Sequence, residues 1–189
     1  MDKGQAAEGK EKEMIVTWST IAVCAVMFMI LNRSDYPVSK AAELGALLPM
    51  QVKRGEYWRL LTAGFLHIQV WHLLMNMYSL YNMGSLESWF GPAKFALILF
   101  GSVIGGNLLS TFLGDEGTIS LGISGGLYGL LAAYMVLLFK LGLLNDQAVM
   151  FSLLRTAIVN LLINLMPNVS RLGHAGGFLT GFAIAMLML

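Results

Sequence analysis

Charge is scarce in this chain: Asp, Glu, Lys and Arg make up 12% of its 189 residues, where soluble domains carry about a quarter. Apolar side chains take up the difference at 57%, and mean hydropathy reaches +0.69. Too few charges remain to cover a water-facing surface, so the composition reads as a polytopic membrane protein. The formal net charge of +1 gives no field that would gather nucleic acid or an acidic partner. Cysteine is limited to Cys24, which excludes an intrachain disulfide, and inside an apolar run that thiol reads as a small packed hydrophobe. Histidine is limited to His67, His72 and His174. The five-residue spacing of the first two fits neither the His-Glu-x-x-His pattern nor an i,i+4 metal pair.

What the chain has is apolar runs of membrane-crossing length. Residues 1–13 read as a solvated polar tail, and Met14–Leu31 as the first transmembrane helix, too long for the apolar core of a signal peptide. Residues 32–65 mix charge with apolar side chains around Pro37 and Pro49, the pattern of short amphipathic pieces lying at the interface. Further spans are expected over about 67–86, 93–113, 124–144, 148–166 and 171–189, broken at Trp89-Phe90-Gly91-Pro92, at Gly114–Thr118, at Asn145-Asp146-Gln147 and at Pro167-Asn168. The last run of about nineteen residues at ~1.5 Å each just crosses a hydrocarbon core of ~30 Å. The expected fold is therefore all-α, with six transmembrane helices and one domain over 14–189. Lys and Arg are spread almost evenly between the two sides. If 32–65 is folded its charges weigh less, which favours a cytoplasmic amino terminus and places Ser124 and Arg171 near the outer face.

Polar residues inside such spans are few, and an intramembrane polar residue is a functional hypothesis by default. Ser124 opens the fourth span, His174 lies near the start of the sixth, and His72 and Asn76 share one side of the second, an i,i+4 pair. Spans two, four and six run in the same direction, so these residues meet at one depth near one face. A serine hydroxyl needs a base to become a nucleophile, and His174 is the natural base for Ser124. With no Asp or Glu near His174, a Ser–His dyad is expected, its imidazole oriented by packing or hydrogen bonds. Tyr128 lies one turn after Ser124, placed to stack on that imidazole. The amide of Ser124 at a helix amino terminus, with His72 and Asn76, supplies donors for an oxyanion. Gly125 and Gly129 on span four, and Gly173, Gly177 and Gly181 on span six, form small-xxx-small faces that let backbones approach. Gly101 and Gly105 give span three a similar face.

Each of these residues alone has a plainer structural reading. Ser124 suits a helix cap, His174 a packed histidine, and His72 with Asn76 interhelical glue worth about 0.6 kcal/mol. Glu87 and Arg155 read as structural or interfacial. Convergence of the polar set lifts the chemical reading above these.

The same residues resemble the rhomboid intramembrane serine proteases over roughly 14–189. Gly122-Ile123-Ser124-Gly125 with Tyr128 resembles the family's Gly-x-Ser-Gly element. His72-Leu73-Leu74-Met75-Asn76 resembles its His-x-x-x-Asn element, preceded by Trp58-Arg59 and by Phe65-Leu66-His67. Gly173-His174-Ala175-Gly176-Gly177 with Gly181 resembles its sixth-helix motif, and Gly84-Ser85-Leu86-Glu87 the end of its second helix. The resemblance implies a Ser124–His174 dyad and an oxyanion hole of His72, Asn76 and the Ser124 amide, with Gly122, Gly125, Gly177 and Tyr128 in support. It implies a membrane-embedded first loop containing Trp58-Arg59, and a water-filled cavity open to the outer face, capped by a flexible loop and gated laterally by span five. Substrates would be single-pass membrane proteins cut near the outer end of a helix. No metal, ATP or organic cofactor is expected, and the expected setting is a bacterial inner membrane. A catalytically inactive binder or chaperone of membrane helices on the same fold is the alternative.

Overall fold

The computed structural model describes residues 14–165 and 169–189. The polar tail expected over 1–13, and Pro167-Asn168 as the stop of the fifth span, lie outside the described residues. Helix α1 covers Ile15–Asn32. Three short helices follow, α2 (Pro37–Leu44), α3 (Pro49–Lys53) and α4 (Arg59–Thr62), with a 3-10 turn at Ala63–Phe65. Then come α5 (Val70–Met83), α6 (Ser85–Phe90), α7 (Pro92–Leu113), α8 (Ser124–Lys140), α9 (Gln147–Leu165) and α10 (Arg171–Met188). No strand occurs among the described residues; one isolated bridge joins Leu47 to Ser120.

The segment 32–65 folds into short helical pieces, as its mixed pattern predicts. Pro37, Pro49 and Pro92 each sit in the first turn of a helix, where a missing N–H is tolerated. Arg59 ties the segment together. It is 7% exposed, and its guanidinium donates to the carbonyls of Ala42 (2.7 Å) and Ala46 (3.0 Å) and to the Glu56 carboxylate (2.7 Å). A buried guanidinium is tolerated only with its donors satisfied in this way. Asn107 of α7 donates to the Leu60 carbonyl at 2.9 Å and holds the segment against the bundle.

Two helices are shorter than their apolar runs. The run over 67–86 yields only the fourteen residues of α5, because the ladder tightens at Gly84, whose N–H bonds the Tyr81 carbonyl three residues back. Gly84 abuts α1, and a β-carbon there would collide with Met14. The run from Ser124 stops at Lys140, because Gly142 takes a left-handed φ of 70° that continues no helix. By length and apolar composition α1, α7 and α9 are sufficient to cross a bilayer, and α8 is a shorter apolar helix.

At the centre, α10 packs along both α7 and α8, and α7 along α8. Phe95, Ile98, Leu99, Ile123 and Leu130 are fully buried there. Large apolar side chains such as Trp18, Phe112, Phe139 and Phe151 face outward, a surface suited to lipid. Cys24 is buried, as a small hydrophobe would be. Arg155 lies exposed on α9, while Glu87 is fully buried.

Glu87 explains the break at Gly84. The turn into α6 aims its carboxylate at the start of α1, where it accepts from the Val16 N–H (2.8 Å), the Thr17 N–H (2.9 Å) and the Thr17 hydroxyl (2.8 Å). Met14, the residue before α1, makes no side-chain cap bond, so Glu87 satisfies amide donors the helix leaves open. Glu87→Ala strands these donors away from water and is expected to destabilise the fold by about 2–4 kcal/mol. The check is a fall in the thermal unfolding midpoint in detergent; an unchanged midpoint would show that the cap contributes nothing.

Candidate active site

Ser124 is the first residue of α8, and the capping position before it is Ile123, which makes no side-chain cap bond. The Ser124 hydroxyl therefore does not serve as a helix cap. It lies 2.9 Å from Nε2 of His174, the fourth residue of α10. His174 is 5% exposed. Its helix is started by Ser170, whose hydroxyl accepts from the Gly173 N–H at 3.2 Å.

Glycine faces set the Ser124–His174 distance. A β-carbon on Gly177 would strike the Gly125 carbonyl, and one on Gly181 would strike the backbone of Gly129. Gly125 itself faces the Gly173 carbonyl, at 3.2 Å from where its β-carbon would stand. The two small-residue faces read from the sequence do meet, backbone against backbone. Gly101 and Gly105 of α7 instead make room for the side chains of Ile184 and Thr180 of α10. Tyr128, one turn after Ser124, stacks on His174 with ring centroids 4.1 Å apart and planes 16° apart.

The third helix of the set, α5, arrives through Gly122. That glycine has φ of 112°, a left-handed conformation, and its N–H bonds the Ala63 carbonyl at 2.9 Å. A β-carbon on it would lie 2.6 Å from Cε1 and 2.8 Å from Nε2 of His72, and 3.4 Å from Nδ2 of Asn76. His72 and Asn76 thus face the backbone two residues before Ser124, and glycine is required for both conformation and space. The Ser124 N–H, at the first position of α8, has no partner within its own helix. The structure thus brings Ser124 to His174, and His72 and Asn76 to the backbone at Gly122.

Two residues of the cluster have roles that the sequence reading does not give: His67, read only as part of the Phe65-Leu66-His67 motif, and Asn164, not singled out. His67 is fully buried in the loop before α5, with Nε2 2.9 Å from Nδ2 of Asn76 and its ring edge-on to His72 at 5.0 Å. It steadies the Asn76 amide; the nine-residue separation is no helical spacing, so the sequence did not show that the two pair. Asn164 of α9 places Oδ1 2.9 Å from Nδ1 of His174. The imidazole is bonded by a side-chain amide, a hydrogen bond of the kind the sequence reading allowed. An Asn ten residues before His174, across a helix break, carries no periodic signature.

An activatable hydroxyl on an imidazole, beside side-chain and backbone donors, is the layout of a serine acyl-transfer site. Comparison with known proteins gives the family. The family model described as Rhomboid domain matches residues 54–189. The chain belongs to the rhomboid family. It is 38% identical over 151 residues to RHOMBOID-like protein 1 of Arabidopsis thaliana, covering 78% of this chain and 39% of that one. It is 30% identical over 191 residues to Rhomboid protease GluP of Bacillus subtilis, covering 97% of this chain and 36% of that one. With Putative rhomboid protease YdcA of the same bacterium the identity is 29% over 171 residues, covering 88% of this chain and 85% of that one. The chain spans half or less of the length of the plant relatives it matches. The rhomboid match begins after α3 and takes in every residue of the cluster.

Gly122→Ala forces an alanine into left-handed backbone at about 1–2 kcal/mol and drives its methyl into His72. The expected result is a lower unfolding midpoint together with a shifted His72 imidazole resonance. An unshifted His72 signal would show that Gly122 does not set the donor position.

Proposed function

We propose that this chain is an intramembrane serine endopeptidase. The observation that carries this reading is the 2.9 Å contact between Ser124 Oγ and His174 Nε2, made where His72 and Asn76 face the backbone of Gly122. Ser124 is the nucleophile and His174 its base. Oγ attacks the scissile carbonyl carbon while Nε2 takes its proton. The tetrahedral oxyanion is held by the Ser124 amide, the His72 imidazole and the Asn76 side chain. The imidazolium then protonates the leaving amine as the C–N bond breaks, and an acyl ester remains on Ser124. Water, deprotonated by the same Nε2, attacks that ester and frees the new carboxyl end and the serine. Nothing in this cycle needs a cofactor.

The same reading covers the setting. Residues 14–189 form one rhomboid domain in the membrane, and α1, α5, α7, α8, α9 and α10 are its six spans. The two short spans, α5 and α8, both begin beside the site, with His72 in the first turn of one and Ser124 the first residue of the other. The amino terminus is cytoplasmic, in a bacterial inner membrane, so Ser124 lies towards the outer face. Substrates are single-pass membrane proteins, cut near the outer end of their helices.

Purified chain incubated with a labelled transmembrane substrate in detergent is expected to cleave it, and Ser124→Ala and His174→Ala are each expected to abolish cleavage. A fluorophosphonate probe should label Ser124 in the parent chain and not in the Ser124→Ala variant. Cleavage that survives either substitution would sink the dyad, and an unlabelled serine would favour a non-catalytic binder of membrane helices.

His72→Ala and Asn76→Ala each remove one oxyanion donor. Each should lower kcat by about 10²–10³, or ~2.7–4 kcal/mol of transition-state stabilisation. If both variants keep the parent kcat, the oxyanion is held elsewhere.

A further inference from the structure

Asn164 has every polar atom of its side chain committed. Its Nδ2 lies 2.8 Å from the Asn160 carbonyl and 2.6 Å from the Tyr128 hydroxyl, and its Oδ1 lies 2.9 Å from Nδ1 of His174. The Asn160 carbonyl can only accept, so the atom facing it is the NH2 group. That fixes the amide: Oδ1, which can only accept, faces His174. Nδ1 of His174 must then carry the proton, and Nε2 is left with a lone pair directed at Ser124 Oγ. This is the tautomer a base needs. The Tyr128 hydroxyl, accepting from Nδ2, points its own proton at the Asn160 carbonyl, 3.4 Å away.

The surroundings of α9 sharpen the point. None of its residues whose side chains are described is buried. Where it meets α8 and α10, the polar contacts run through Asn160 and Asn164: Tyr128 of α8, His174 of α10, and Arg171 of α10, whose Nε donates to the Asn164 carbonyl at 2.9 Å. A helix none of whose described side chains is buried is held beside the site by an amide that also holds the base.

We propose that Asn164 is a positioning residue for His174, setting its tautomer and ring orientation from α9, so that the base is correctly held only while α9 is docked. This rests on the proteolytic reading above, but part of its test does not depend on it.

Nitrogen-15 histidine spectra of the full chain in detergent should show His174 protonated at Nδ1, and Asn164→Leu should move it to a mixture of tautomers. Wild-type His174 protonated at Nε2 would overturn the proposal whether or not the chain cleaves anything. For cleavage, Asn164→Leu should lower kcat by about ten- to a hundredfold with KM unchanged, while Asn164→Asp, which keeps the acceptor, restores most of it. Leu and Asp variants with the parent kcat, or a loss confined to KM, would show that Asn164 only anchors α9. Failure of the parent chain to cleave or to label at Ser124 would instead be a failure of the proteolytic reading.

Discussion

The contact on which the site depends is the backbone approach of α8 to α10. Gly177 and Gly181 of α10 lie so close to the backbone of Gly125 and Gly129 that neither has room for a β-carbon. At that separation a serine on one helix and a histidine on the other can share a hydrogen bond directly. Apolar burial gives little drive for helix association in lipid, so such packing rests on dispersion and shape. A larger residue at Gly177 or Gly181 would push the helices apart and break the Ser124–His174 contact before any chemical group was altered.

Around this contact the chain satisfies its polar groups from other segments. Glu87 closes the start of α1, Arg59 gathers the carbonyls of the first loop, and His67 holds Asn76. In a medium without water an unpaired donor is costly, and Glu87, Arg59 and Asn76 each find a side-chain or carbonyl partner outside their own helix. Gly84 and Gly122 serve the same end. One breaks α5 so that Glu87 reaches α1, and the other clears space for His72 beside the site.

Much of this was legible from residues. Ser124 and His174 each follow a helix break at the same depth, and His72 and Asn76 are an i,i+4 pair, so parallel spans bring them level. Tyr128 on His174 followed from its place one turn after Ser124. Less legible were the ends of helices: α5 and α8 stop before their apolar runs do, because hydropathy marks what tolerates lipid and not where a glycine turns the backbone. The pairing of His67 with Asn76, and Asn164 altogether, were missed for a related reason. Their partners lie across loops, and no periodicity links residues whose meeting depends on how two helices dock.

The sequence by itself determined the helical class, the glycine faces and the identity of the serine, histidine and asparagine that meet, because helical period and span direction place residues on faces and levels without long-range information. Only the tertiary structure decided which groups orient them. Asn164 on Nδ1, His67 on Asn76 and Glu87 on α1 are hydrogen bonds between separately positioned segments. Such a bond depends on distances of a few tenths of an ångström, which are fixed by the packing of whole helices and not by any local run of residues.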